Sequence, residues 1–166
     1  MITTDLICAS YKQKARGFKI VELDKQQPSK GVGVPQLPKR GTAQSAAYDF
    51  FSPIDTVIEP GGGSVTIYTN VKAYMEPDEV LLLNVRSSHG KDKIRMANTQ
   101  GWIDADFYGN SDNDGNIQVT LENHGEHHYF IARGDKIMQG LFTKYLRTDD
   151  DDAQGVRVGG LGSTGR

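Results

Sequence analysis

The sequence has one cysteine, Cys8, and one tryptophan, Trp102, in 166 residues. A lone cysteine excludes an intrachain disulfide and a cysteine-rich zinc centre. Cys8 has no partner motif around it that would make it a nucleophile, and its isolation fits a reducing compartment. No stretch approaches the ~18 apolar residues of a membrane-spanning helix. The N-terminus lacks the basic-then-apolar pattern of a secretory leader. The expectation is a soluble, cytoplasmic protein with no membrane partner. An excess of one charge is also missing: 19 Lys and Arg stand against 21 Asp and Glu, a net charge of −2. A chain that grips a nucleic-acid backbone is normally basic. No nucleic-acid partner is therefore expected, and any phosphate chemistry is local, on a small ligand.

Long helical periodicity and internal repeats are absent too. Short runs with strand character recur instead, at 18–22, 55–59, 64–71, 80–85, 102–107, 117–121, 129–132 and 136–142. Turn residues separate them, most clearly Pro60-Gly61-Gly62-Gly63. At most, residues 88–93 make a short helix. Many short strands at this spacing predict an all-β barrel or sandwich, and the length fits one ordinary domain with its own core. Residues 24–39, with Pro28, Pro35 and Pro38, read as a loop, and 110–116 (NSDNDGN) as a hairpin turn.

Glycine is abundant. There are 19, about 11% of the chain against a usual ~7%. Five of them, Gly155, Gly159, Gly160, Gly162 and Gly165, fall in the last twelve residues. Four aspartates, 149–152, precede this tail and read as a solvated linker. The chain thus divides into an all-β body, 1–148, and an acidic linker with a glycine-rich C-terminal tail, 149–166. The tail matches GxGxxG by letter, but the dinucleotide reading needs a strand before it and a helix after it, and the chain ends one residue later. No Walker A pattern exists. Glycine-rich backbone with Ser163, Thr164, Arg157 and Arg166 can still crowd N–H and side-chain donors around a phosphate. The other reading is a loose terminus.

Three further groups carry chemistry. Arg86-Ser87-Ser88 follows a buried strand, which makes it an oxyanion clamp or a surface arginine with a helix cap. Asp104 and Asp106 are two apart on the predicted strand and so share a face with Trp102, while Ile103, Ala105 and Phe107 face the other way. A carboxylate there is a general base, a metal ligand or half of a salt bridge, and taken alone the salt bridge is the favoured reading. His124, His127 and His128 form a cluster that reads as a hairpin end rather than a metal site.

Read together and in order, these pieces resemble the homotrimeric dUTPase family. The resemblance runs over 35–166. Its five motifs are Ser45-Ala46-Ala47-Tyr48-Asp49-Phe50, then Arg86-Ser87-Ser88, then Asn98 through Gly109 (NTQGWIDADFYG), then Arg133-Gly134-Asp135-Lys136-Ile137-Met138-Gln139, then Gly159-Gly160-Leu161-Gly162-Ser163-Thr164-Gly165. It implies a jelly-roll-like β-barrel with a mobile C-terminal tail, and a trimer whose sites lie between subunits, each capped by a neighbour's tail. The implied reaction is hydrolysis of dUTP to dUMP and pyrophosphate with Mg²⁺ on the triphosphate. Carried over by position, Asp104 activates the water that attacks the α-phosphorus, and Asp49 stands near the magnesium waters, with no direct protein ligand to the metal. Arg86, Ser87, Ser88 and Gln139 contact phosphates. Asn98, Gly101 and Ile103 belong to the hairpin that reads uracil, and Phe107 packs on the deoxyribose. Arg157, Leu161, Gly162, Ser163 and Thr164 belong to the lid. A dCTP deaminase, or a bifunctional enzyme of the same superfamily with Glu122 as its acid, is the alternative enzyme. A non-enzymatic regulator with a protein partner, using 24–39 as its surface, is the third reading.

Four positions depart from the family pattern: Ala47 for glycine, Val85 for proline, Phe107 for tyrosine and Leu161 for the phenylalanine that stacks on uracil. The tail arginine is also displaced, to Arg157 from the expected place at Val156. Base stacking on an aromatic ring is worth ~1–3 kcal/mol, so Leu161 predicts weaker lid closure than in a phenylalanine-bearing relative.

Overall fold

The computed structural model describes residues 14–27, 33–157 and 159–160. Cys8 and the lid residues Leu161, Gly162, Ser163 and Thr164 lie outside them.

Among the described residues twelve strands alternate with turns: β1 Gly17–Ile20, β2 Lys39–Arg40, β3 Tyr48–Phe51, β4 Thr56–Ile58, β5 Gly63–Tyr68, β6 Val71–Tyr74, β7 Glu79–Asn84, β8 Ile94–Met96, β9 Gly101–Asp104, β10 Gln118–Asn123, β11 Tyr129–Ile131 and β12 Lys136–Lys144. One short helix, α1, spans Ser87–Lys91. All described pairings are antiparallel. The largest sheet has the order β2-β3-β12-β7-β9, and a second has β5-β10-β8. Two-stranded pairs β1-β6 and β11-β4 complete a jelly-roll-like all-β fold.

Alternation explains which face strands such as β10 bury, whereas β6 and β7 are buried on both faces at Val71–Ala73 and Glu79–Leu81. In β10, Val119, Leu121 and Asn123 turn inward and Thr120 and Glu122 outward. Asn123 is tolerated inside because its amide donates to the Ile58 and His127 carbonyls and accepts from the Gly125 N–H. Leu81 and Leu83 of β7 meet Phe50, Ile67, Ile94, Ile103, Leu121 and Met138 in one core.

Two predicted strands are corrected. The run 64–71 is two strands, because Asn70 takes the left-handed conformation, φ 57°. The Asn70 N–H is satisfied by the Asn116 side chain rather than by a ladder. The run 102–107 ends at Asp104, and Ala105–Phe107 is a 3₁₀ turn. Here the Asn110 amide captures the Phe107 carbonyl at 2.8 Å and bends the chain. Asp104 and Asp106 are therefore not two positions of one strand. The helix at 88–93 starts a residue earlier and ends two earlier. The NSDNDGN segment is a turn but not the expected hairpin, because β9 pairs with β7 and β10 with β5 and β8. It is built on Asn110 and Asn113 oxygens that accept the N–H groups of Asp112, Asn113 and Gly115.

Candidate active site

The outer face of the large sheet carries Asp49, Gln139 and Asp104, while Gly101 and Ile103 face the core. Directly paired residues share a face, and Asp49 pairs with Gln139, which pairs with Asn84. This polar row ends beside Arg86. Strand β12 reaches it through an irregularity: the register shifts between Lys136 and Met138. A regular strand would put residues 136 and 139 on opposite faces. The bulge buries Ile137 and Met138 together and turns Lys136 and Gln139 outward together.

Asp49 is almost fully buried, and each of its oxygens holds one cation. Arg86 Nε lies 3.1 Å from Oδ1 and Lys136 Nζ 2.8 Å from Oδ2. Three of the five motifs thus meet at one point. A cleft of about 420 Å³ opens beside them, lined by Arg86, Ser88, His89, Tyr129, Gly134 and Lys136 among others. Ser87 is exposed at the start of α1. His89 is 3% exposed, and its Nδ1 has no hydrogen-bond partner. Burial, and then the Arg86 charge, push its pKa below the usual histidine value.

A second pocket, about 220 Å³, lies under the hairpin before Asp104. Asn98, Gly101, Ile103, Met96, Trp102 and Leu83 line it with others. Gly101 faces Leu83 across the ladder. A Cβ on Gly101 would sit 3.1 Å from Leu83 Cβ, closer than most real Cβ contacts, so a side chain there would push the hairpin or Leu83 by a few tenths of an ångström.

Asp104 is at the far end of β9. It pairs with Val80, whereas Gly101 pairs with Leu83. Arg157 returns from the tail to meet it: Nη2 donates to Asp104 Oδ2 at 2.6 Å and Nε to Asp106 Oδ1 at 2.8 Å. The guanidinium carbon lies 5.7 Å from the centroid of the Phe107 ring, which is otherwise core. Val156, the place where the family pattern puts the arginine, is exposed.

Glu122 is on the other sheet, paired with His124 at 2.9 Å. His128 pairs with Glu59. Among the described residues no cluster of three or more His, Cys, Asp or Glu is arranged to hold a metal, and no helix is long and apolar enough to cross a membrane. His89, Lys136, Asn84 and Gln100 were not anticipated as site residues. Lys136 and Gln100 had a signal, their places inside the fourth and third motifs.

A jelly-roll-like β-protein with a cationic phosphate-sized cleft, a glycine-seated pocket and a remote carboxylate is the class defined by this fold and site. The dUTPase family model matches residues 35–165. The deoxyuridine 5'-triphosphate nucleotidohydrolase of Lactococcus lactis subsp. lactis (strain IL1403) is 37% identical over 155 residues, covering 92% of this chain and 99% of that protein. The one from Anaplasma marginale (strain St. Maries) is 31% identical over 145 residues, covering 81% and 92%. The crystal structure of dUTPase from Streptococcus mutans matches with a TM-score of 0.69 at 35% identity, over 80% of this chain and 98% of that one. The chain belongs to the dUTPase family and is an enzyme of that class.

Proposed function

We propose that the protein hydrolyses dUTP to dUMP and pyrophosphate in sites built between the subunits of a homotrimer. The observation that carries this is a separation. Asp104 lies opposite Val80, six residues before Arg86, which is about 20 Å of extended chain at ~3.3 Å per residue. This separation supports a site whose two halves come from different subunits. The same face supports such contacts. Leu141 pairs with Leu82, which pairs with Trp102. This apolar row lies between the two ends, with Trp102 62% and Leu141 40% exposed, and β9 is the sheet edge. Exposed apolar rows on a sheet mark association surfaces.

In this reading Asn98 pairs with the pyrimidine edge, and the tight hairpin at Gly101 and Ile103 leaves no room for a 5-methyl group. The Phe107 ring supports the deoxyribose, and Arg157 and the lid close over the phosphates. Arg86, Ser87, Ser88 and Gln139 hold the phosphates and offset the charge that builds on their oxygens. Asp104 takes a proton from water as the water oxygen bonds to the α-phosphorus. The bond from that phosphorus to the bridging oxygen breaks, and pyrophosphate leaves. Mg²⁺ neutralises charge on the phosphates. The donor set fits an ion that keeps its waters and rides on substrate, because Asp49 has two cations bound already and Asp135, the other carboxylate beside the cleft, accepts from the Ala132 N–H.

The test is pyrophosphate release from dUTP, dCTP, dTTP and UTP, with Mg²⁺ and with EDTA. The expected result is turnover of dUTP alone, lost in EDTA. Asp104→Asn lowers kcat about 10²–10⁴-fold, the usual contribution of a positioned base, with the trimer intact. Near-full activity of Asp104→Asn, or ammonia release from dCTP, overturns the reading.

A further inference from the structure

The hairpin that walls the second pocket carries a backbone outlier. Thr99, at its tip, has φ 60°. A β-branched residue rarely adopts this left-handed conformation, and such strain persists only where the surroundings impose it. Local bonds tighten the tip. The Thr99 N–H donates to the Met96 carbonyl at 3.0 Å, the Gln100 N–H to the Asn98 carbonyl at 2.6 Å, and Thr99 Oγ1 to the same oxygen at 2.6 Å. One bond ties the tip to the body over a longer range: Gln100 Nε2 donates to Asn84 Oδ1 at 3.1 Å. Asn84 is itself fixed in the ladder opposite Gln139.

We propose that Gln100 and Asn84 are positioning residues that hold the strained Thr99 turn in the one conformation that reads the base. The inference rests on the dUTP reading above. Asn98, next to the turn, lines the pocket, and no described residue hydrogen-bonds its side-chain amide, which leaves that amide free for a pyrimidine edge. Rejection of a 5-methyl group requires a wall that does not yield. A Thr99 turn released from Asn84 relaxes out of the left-handed region, moves the Asn98 amide and widens the pocket. Gly101 already seats one end of the hairpin against Leu83, so the Gln100–Asn84 bond is the fastening on the tip side.

The test combines Gln100→Leu, Thr99→Gly and the double variant. Gln100→Leu is expected to raise KM for dUTP about tenfold with kcat within about twofold, and to narrow the preference for dUTP over dTTP, because Asp104 and the phosphate cluster are untouched. Thr99→Gly alone is expected to raise KM less than Gln100→Leu does, since glycine enters positive φ readily. The double variant recovers part of the lost KM for the same reason. Unfolding midpoints give a readout that needs no substrate. Thr99→Gly raises the midpoint in the wild-type background, where strain is stored, and not in Gln100→Leu, where the tip has relaxed. The proposal is overturned if Gln100→Leu leaves KM and the dUTP preference unchanged, or if Thr99→Gly shifts both backgrounds equally. If the wild-type chain does not convert dUTP, the functional reading fails and the unfolding cycle still decides whether Gln100 holds the turn.

Discussion

The Arg157 guanidinium bridges two carboxylates, donating from Nη2 to Asp104 at 2.6 Å and from Nε to Asp106 at 2.8 Å. The tail arginine, one position beyond where the family pattern puts it, therefore still arrives at the carboxylate end of β9. It arrives by a turn of the tail, with the Gly160 carbonyl 3.3 Å from its Nη1. Gly160 sits against the 110–116 turn so closely that a Cβ would lie 2.7 Å from Asp112 Oδ2.

Arg157→Ala is expected to lower kcat/KM for dUTP by about one to two orders of magnitude, the scale of a lost hydrogen bond to a charged group at ~1.5–3 kcal/mol. Deleting 156–166 is expected to abolish turnover while light scattering still reports the same assembly. Moving the charge with Val156→Arg in the Arg157→Ala background does not restore activity, because Val156 points to solvent. Restoration would show that position within the tail is immaterial.

His89 makes stability depend on pH in a stated direction. Its pKa is lowered in the fold by burial and by Arg86, while the unfolded chain titrates near 6.5. Asp92 and Asp135 act the other way, and Tyr129 packs at 5.9 Å from the ring. Below that pH the unfolded state binds a proton that the folded state refuses, so stability is full above about 6.5 and falls as pH drops from there through the lower folded value. His89→Leu is expected to flatten this part of the profile. Urea midpoints at several pH values between 5 and 8 check it, and an unchanged slope in the variant rules His89 out as the cause.

Lys72 and Asp114 form a buried pair, with Lys72 Nζ 2.6 Å from Asp114 Oδ2 and 2.8 Å from Oδ1. Burial alone would lower the Lys72 pKa, but the hydrogen bond and charge of Asp114 outweigh it and hold the amine above its usual value. Glu22 stands 3.6 Å away, and the Tyr108 ring centroid 5.2 Å. Removing one member of a buried pair strands the other, at a cost of about 3–5 kcal/mol. Lys72→Met is expected to lose about that much in denaturant unfolding. Asp114→Asn in the same background recovers part, since asparagine tolerates the φ of 58° found there. No recovery would mean that lost packing around Lys72, not the stranded charge, sets the loss.

What the sequence determined by itself is local. Alternation in 117–121 foretold the inward Val119 and Leu121 of β10, the glycines after Pro60 marked a turn, and five ordered motifs identified the family. Each of these depends on residues within a few positions of one another, where periodicity and turn chemistry act directly. What only the tertiary structure decided depends on register. The bulge in β12 brought Lys136 and Gln139 to one face, and the pairing of β3, β12 and β7 put Asp49 between Arg86 and Lys136. The same register set Asp104 and Arg86 at opposite ends of β7. His89 in a five-residue helix is buried, with the Tyr129 ring of β11 packed against it. A one-residue slip in any of these ladders would move every side chain to the other face. That choice is made by the packing of the whole core and not by the segments themselves.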